Sequence, residues 1–250
     1  MSRPPRLAPD EPAESVARTL RGAGPGAQTL ALDLVAEVSK AMDAGDPRVS
    51  TLVERRARIH ANGFLKFVLV AADEWPSSDL TGHKLVLHAW HDSTDGGREN
   101  VHDHRWPFWS TLMCGRLLWE SYSLSTWRKA APTHVACEYR SPGEAASYEM
   151  LPRGPAVLDR GFTATMTAGT VFHLSETELH RVARAGPDLS ATLFLQGPPV
   201  RAATNVYIPV SGERSRPETA MRKGTIKEEV DHLPADRVRR LIEDLLDRPR

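Results

Sequence analysis

The protein has 250 residues, and its 32 Lys and Arg residues balance 32 Asp and Glu residues, so the formal net charge is zero. Its 40% of apolar and 26% of charged residues are typical of a globular protein and exclude general disorder. A net charge of zero gives no excess of basic residues that would bind nucleic acid or a membrane surface. No apolar run is long enough for a transmembrane helix.

The N-terminal region and the cysteine content indicate where the protein works. Residues 1–27 are rich in Pro and Gly, which predicts a flexible leader with at most one helical turn, and they lack the apolar stretch of a secretory signal. Cys114 and Cys137 are too few for a disulfide framework or a four-cysteine zinc site. We therefore expect a cytoplasmic protein.

Residues 28–58 are predicted to form a helical extension that packs outside the main domain. Apolar residues recur at helical spacing over residues 31–42, and Gly45 stands where a left-handed residue would end the helix. Pro47 suits the first turn of a second helix, which is predicted to run through Arg58.

The middle of the chain, residues 59–210, is predicted to be a β-barrel. Short segments rich in Val, Leu, Phe and Trp follow one another, separated by turn residues. Many short strands at this spacing indicate a sandwich or a barrel rather than alternating βαβ units. The strands are expected at residues 64–72, 83–91, 101–106, 110–122, 133–139, 156–158, 162–167, 170–174, 180–184, 191–196 and 205–209.

The C-terminal region, residues 211–250, is predicted to be a linker and a helix. Residues 211–224 are almost entirely polar, which indicates the linker. An apolar stripe at helical spacing then predicts the amphipathic helix, and it consists of Val238, Leu241, Ile242, Leu245 and Leu246.

The densest group of candidate metal ligands is the segment VHDHRW at residues 101–106. On a strand, residues i and i+2 point to the same face, so His102 and His104 are expected side by side while Asp103 points away. Two neighbouring imidazoles are suited to one transition-metal ion. Gly115 follows and is expected to close a strand–turn–strand unit.

A second unit downstream supplies a third imidazole. It runs from the turn at residues 168–169 through His173 to the segment LHRV at residues 179–182. His180 is expected to join the first two histidines from a separate strand. His173 competes for that place, and packing or a supporting hydrogen bond is its expected role.

With these two units the sequence resembles the cupin superfamily and, within it, the thiol dioxygenases of the cysteine dioxygenase-like group. The resemblance covers roughly residues 58–210 and implies a jelly-roll barrel, also described as a double-stranded β-helix. The matching pieces are VHDHR at 101–105 with Gly115, LHRV at 179–182 and LFLQGPP at 193–199. A weaker match consists of Arg58, Asn62-Gly63 and Lys66-Phe67.

The resemblance implies an Fe(II) ion held by His102, His104 and His180, with other divalent transition metals as alternatives. Cupins that also use a carboxylate place a Glu four or five residues after the second His, where this chain has Phe108 and Trp109. Without that carboxylate the ion would keep its full charge, which favours direct coordination of an anionic substrate group.

The resemblance also implies residues that bind the substrate. Arg58 matches the family's carboxylate-binding Arg. Gln196 and Phe194 stand where cysteine dioxygenases have a Tyr and a His, which argues against assuming cysteine as the substrate. Gln196 is expected to face the pocket, and Trp106 and Phe108 are expected to line it and to exclude water.

Other residues near the ligands are expected to have supporting roles. Arg105 and Arg181 each follow a ligand histidine and would face away from the metal on an ideal strand, so they are predicted to be structural or to support the ligands from behind, as is His173. Glu120 is predicted to lie on a strand beyond the metal. His88 is predicted to be an ordinary core or surface histidine, with the pocket mouth as the alternative.

The sequence thus predicts an iron-dependent oxygenase that binds a small polar metabolite (a thiol, an amino acid or a related acid) together with O2. The alternatives are a metal-dependent isomerase or lyase, a 2-oxo-acid-dependent hydroxylase and a non-enzymatic metabolite-binding cupin. No catalytic residue beyond the metal ligands stands out. The expected partners are the substrate and O2, with neither nucleic acid nor membrane, and a homodimer is left open.

Overall fold

The computed structural model describes residues 10–47, 49, 56–60, 62–71, 80–91, 99–126, 130–140, 147–210, 226–229 and 231–248. The helices in these ranges are α1 (Asp10–Arg21), α2 (Ala27–Asp43) and α3 (Ala235–Leu246). The strands are β1 (Arg58–Ile59), β2 (Leu65–Ala71), β3 (Lys84–Trp90), β4 (Val101–His102), β5 (Phe108–Cys114), β6 (Arg116–Leu124), β7 (His134–Arg140), β8 (Ser147–Ala156), β9 (Leu158–Thr167), β10 (Val171–Leu174), β11 (Leu179–Arg184), β12 (Ser190–Gln196), β13 (Thr204–Pro209), β14 (Ile226–Glu229) and β15 (Asp231–His232).

The strands form two antiparallel sheets. Sheet A has the order β10-β5-β12-β3-β2-β1-β15, and sheet B has the order β14-β8-β7-β13-β4-β11-β6-β9. The chain crosses repeatedly between them, because β3, β5 and β12 of sheet A are each followed by a strand of sheet B. The predicted all-β jelly-roll fold with helices outside it is therefore confirmed.

Sheet A is buried on both faces. Its outer face packs against the three helices, and its inner face meets sheet B in a second apolar cluster. In β2, Leu65 and Phe67 join the helix-side cluster, whereas Val68 joins the cluster between the sheets. Burial on both faces explains why β2, β3 and β12 have nearly continuous apolar sequences instead of alternating ones.

The N-terminal leader differs from the expectation. Residues 10–21 form α1, a helix of 12 residues, where the sequence predicts at most one turn. Four apolar side chains on one side of this helix are completely buried, and they are Ala13, Val16, Ala17 and Leu20. Their helical spacing was obscured by the surrounding Pro and Gly residues, and packing against α2 and sheet A stabilises the helix.

Other predicted boundaries also change. β4 ends at His102 instead of continuing to residue 106, and β8 was not predicted because it contains Pro152 and Pro155. Arg58 lies in β1, so the second predicted helix does not reach it, and most of that helix lies outside the described residues.

The C-terminal predictions have two outcomes. The linker at residues 211–224 lies outside the described part of the chain. The helix is confirmed as α3, with Val238, Leu241, Ile242 and Leu245 buried. Within the described residues, none of the helices combines the length and the apolar character that a membrane span requires.

Gly115 makes the turn between β5 and β6 and requires its lack of a side chain. Its φ is +77°, and a Cβ atom there would lie 2.5 Å from the carbonyl oxygen of Leu189 and 2.7 Å from Cα of Ser190. Gly45 has a similar φ of +70°, but a Cβ atom there would meet nothing within 4 Å.

Gly115→Ala is expected to lower the free energy of unfolding by at least about 3 kcal/mol, because backbone must move to admit the methyl group. Gly45→Ala has the same backbone strain without the clash, so a loss of about 1 kcal/mol is expected. Urea denaturation of both variants measures the difference. An equal loss of unfolding free energy in the two variants would show that the close contact at Gly115 does not contribute to the cost of the substitution.

Candidate metal centre

Three histidines converge in the space between the two sheets. His180 in β11 is the direct antiparallel partner of His102 in β4, and their ring centroids are 4.7 Å apart. The ring of His104 lies 5.0 Å from that of His102 and 5.1 Å from that of His180. One ligand atom from each of the three lies within 4.8 Å of the others.

Hydrogen bonds to carbonyl groups orient two of these rings. His102 Nδ1 is 2.9 Å from the carbonyl oxygen of Asn100, and His180 Nδ1 is 3.0 Å from that of Glu178. Because a carbonyl only accepts, each Nδ1 carries the proton and each Nε2 has its lone pair free. The two rings are therefore held as metal ligands usually are, with the outer nitrogen bonded to the protein.

Burial keeps the three imidazoles neutral. Loss of solvent lowers the pKa of His102 below 6.5 and lowers those of His104 and His180 well below it. The mutual repulsion of the ring charges acts in the same direction on His104 and His180. A neutral imidazole is the form that binds a metal.

The donor set fits a divalent transition-metal ion. His104 Nε2 and His180 Nε2 are 3.4 Å apart. Two nitrogens about 2.1 Å from one ion lie roughly 3.0 to 3.4 Å apart at octahedral or tetrahedral angles. Among the described residues no carboxylate joins the group, so its ligand atoms are all imidazole nitrogens.

Asp103 fixes the segment between the two neighbouring histidines. It points away from them, as expected, and is almost completely buried at 3% exposure. Its carboxylate accepts hydrogen bonds from Asn205 N and Asn205 Nδ2, both at 2.6 Å, and from Arg201 Nη1 at 2.7 Å. These bonds hold His104 in place although β4 has already ended at His102.

Aromatic rings surround the histidines. Trp119 stacks on His180 at 4.5 Å with an interplanar angle of 6°. The predicted pocket residues Phe108 and Trp106 have their rings 4.9 and 6.1 Å from that of His104. Phe194 is also 6.1 Å from His104. These rings provide an apolar wall that limits the access of water.

The two polar residues predicted to bind the substrate, Gln196 and Arg58, lie in sheet A, and the predicted supporting residue Arg105 follows β4 of sheet B. Gln196 is buried at the end of β12 and, two residues after Phe194, lies on the strand face that contributes to the inner cluster. Arg58 is half-buried in β1. Arg105 is half-buried beside the centre, with its guanidinium 4.9 Å from the ring of Trp106.

Three other candidates lie away from the cluster. Arg181 pairs with the buried carboxylate of Glu120, which also accepts from Arg160, on the opposite face of sheet B. His173 is exposed and stacks on Trp109 at 4.7 Å. Neither side chain contacts the three imidazoles, so of the two roles expected for each residue, His173 has the packing role and Arg181 the structural one.

The structure adds two half-buried titratable residues that sequence analysis did not assign to the site. Lys66 and His88 are paired across β2 and β3 and lie on the inner face of sheet A. Burial, together with the positive charges of Arg58, Lys84 and Arg105, lowers the pKa of Lys66 to about 7. The sequence did offer one indication of this position, because Lys66 is the single charged residue in the otherwise apolar strand β2.

Comparisons with known proteins concern the fold. No protein-family model matches the sequence, and no curated protein matches it. Among solved structures, a mutant of Bacillus subtilis oxalate decarboxylase is similar at 13% identity and a TM-score of 0.35, over 62% of this chain. The match spans only 30% of the decarboxylase chain.

Two further solved structures illustrate the same likeness. An oxalate oxidase matches at 15% identity and a TM-score of 0.35, covering 75% of this chain and 74% of its own. A cupin superfamily protein from Desulfitobacterium hafniense matches at 9% identity and a TM-score of 0.30, covering 56% of this chain and 81% of its own.

Glu99 is a buried acid close in sequence to the histidines. It is 4% exposed, and one carboxylate oxygen accepts a hydrogen bond from Val182 N at 3.3 Å. Burial raises its pKa from 4.5 to about 8. The folded protein therefore retains this proton at neutral pH, whereas the unfolded chain releases it above pH 4.5.

Between pH 4.5 and 8 this difference makes the folded state less stable as the pH rises. Glu99→Gln is expected to remove that pH-dependent loss of stability, so its free energy of unfolding should exceed that of the wild type by roughly 4 kcal/mol at pH 8 and by much less at pH 4.5. Urea denaturation across this pH range measures the difference.

The matched control is Glu138→Gln, since ion pairs with Arg140 and Arg153 lower the pKa of Glu138. The stabilisation by its carboxylate is almost fully present above about pH 4.5, so this variant should be less stable than the wild type by nearly the same amount across this pH range. A Glu99→Gln profile parallel to that of the wild type would contradict the assignment.

Proposed function

We propose that the protein is a metal-dependent oxygenase that uses Fe(II) at His102, His104 and His180. The observation that carries the proposal is the convergence of three neutral imidazoles, without a carboxylate among the described residues, with aromatic rings packed around them. An oxalate-type or other small polar acid, or a thiol, would bind together with O2. A reducing cytoplasm suits the free thiols of Cys114 and Cys137.

The chemistry that Fe(II) supplies is Lewis acidity toward the substrate donor and a redox electron for dioxygen. The residues of the chain provide its setting. His102 and His180 keep their outer nitrogens bonded to carbonyl groups, which fixes the direction of their free lone pairs. Because all three imidazoles are neutral, they leave a net positive charge that favours an anionic donor from the substrate.

The pocket walls are proposed to position the substrate. Phe108 and Trp106 would exclude water on the His104 side, which strengthens electrostatic interactions in the pocket. Gln196 would offer an amide from the end of β12, and Arg58 a guanidinium from β1. Gln196 and Phe108 are buried, and Gln196 lies on the same face of β12 as Phe194, which is consistent with these assignments.

The metal assignment is tested by equilibrium binding of Fe(II) under anaerobic conditions. The wild type is expected to bind about one ion per chain, and alanine at any of the three positions should weaken binding at least about 100-fold. His173→Ala is the matched control, because His173 lies outside the cluster and should keep wild-type affinity. Wild-type affinity in His180→Ala would overturn the proposed ligand set.

The reaction type is tested by oxygen consumption. The Fe(II)-loaded protein is screened with small thiols and with amino, hydroxy and dicarboxylic acids, and an oxygenase consumes O2 only when its substrate is present. An isomerase or a lyase would convert a substrate without oxygen uptake. Uptake that requires an added 2-oxo acid would instead identify a 2-oxo-acid-dependent hydroxylase.

A further inference from the structure

A second group of polar side chains lies beside the histidines, on the inner face of sheet A. Lys66 in β2 is flanked by two antiparallel partners, Arg58 in β1 and His88 in β3. Val68 and Val86 on the same strands belong to the cluster between the sheets, and strand alternation places Lys66 and His88 on that face.

This group adjoins the three-histidine cluster. The ring of His88 is 5.1 Å from that of Phe194, and Phe194 is 6.1 Å from His104. The charges of Lys66 and His88 both contribute to lowering the pKa of His104, after burial and the other two ligand histidines. A small molecule bound at the histidines would therefore have this group as its neighbour.

The positive charge of Lys66 has no counterion among the described residues. No hydrogen bond or ion pair there satisfies its ammonium group, and the charges that act on it most are those of Arg58, Lys84 and Arg105. Lys66 is half-buried, and a partly desolvated cation among other cations is costly unless it is paired. An anion supplied from outside would relieve this repulsion.

Two polar atoms nearby have no partner among the described residues. His88 Nε2 and Trp106 Nε1 are both buried, and neither makes a hydrogen bond there. Since the large majority of buried side-chain polar atoms are hydrogen-bonded, two such atoms beside the histidine cluster indicate groups that a ligand could satisfy. Trp106 lies on the His104 side and His88 on the Lys66 side.

We propose that Lys66, together with Arg58, binds the oxyanion of a small organic acid, and that His88 Nε2 binds a second polar group of the same molecule. Lys66 and His88 are thereby specificity-determining residues that the family resemblance does not assign. The claim that this site anchors the substrate rests on the proposed function. The claim that the site binds an anion does not, because anion binding does not need the metal. The proposed ligand is thus an organic acid whose oxyanion lies at Lys66 and whose opposite end lies at the three-histidine cluster.

Protonation gives this site a distinctive signature. Lys66, with a pKa of about 7, is partly neutral near pH 7.5, and an anion beside it favours the charged form. Binding of the anion should therefore take up a proton from solvent. The other titratable or charged groups that act on Lys66 or lie beside it are Arg58 on β1, Lys84 and His88 on β3, Arg105 after β4, and His60 and His104.

The test is calorimetric titration of propionate into metal-free protein at pH 7.5, in two buffers of different ionisation enthalpy. Propionamide, the neutral analogue, serves as the ligand control. We expect propionate to bind at least ten-fold more tightly than propionamide and to take up a fraction of a proton. Lys66→Met should weaken propionate binding at least ten-fold and abolish the proton uptake.

Two further variants separate charge from structure. Lys66→Arg keeps a charge that does not titrate, so it should retain most of the affinity without proton uptake. Lys40→Met removes an exposed lysine of α2 and should behave as the wild type. Wild-type binding by Lys66→Met, equal binding of propionate and propionamide, or proton uptake that persists in Lys66→Arg would each overturn the proposal.

The same titrations with the His102→Ala protein distinguish this inference from the proposed function. Loss of Fe(II) binding there with propionate binding unchanged is the result that supports the site. If the wild type binds no Fe(II) but still binds propionate through Lys66, the proposed function fails and the anion site stands. If it binds Fe(II) but not propionate, the anion site fails alone.

Discussion

The structure of the site depends on one cross-strand pair, in which His102 of β4 faces His180 of β11. Direct antiparallel partners have neighbouring side chains on one face, so the backbone ladder brings two imidazoles from distant parts of the sequence together. β4 is only two residues long, and its position is secured from both ends. Glu99 bonds to Val182 before the strand, and Asp103 bonds to Arg201 and Asn205 after it.

Much of this arrangement could be predicted from the sequence, because local patterns determine it. Hydrophobic periodicity identified α2, α3 and most strands, and the two histidine units identified the three imidazoles. α1 was missed because packing against α2 and sheet A stabilises it, and β8 was missed because Pro152 and Pro155 argue against a strand. The partial burial of Lys66 and the burial of Glu99 are tertiary properties, which the local sequence around these residues does not show.

The electrostatics of the barrel interior follow from an unequal distribution of charge. The inner face of sheet A provides Lys66 near Arg58, while the ligand histidines of sheet B stay neutral through burial. The acidic residues of sheet B are used elsewhere, as Glu120 pairs with Arg181 on the other face. Among the described residues the charge on the inner face of sheet A is therefore positive and unpaired, which is expected to lower the stability of the fold.

Strand β12 has a further consequence for how the protein can diversify. Leu193 and Leu195 pack toward the helices, whereas Phe194 packs in the cluster between the sheets. Strand alternation places Thr192 and Gln196 on the same face as Phe194. Mutations at Thr192, Phe194 or Gln196 would change the side chains between the sheets without touching those that support the helices. The two faces of one strand can thus vary independently of each other.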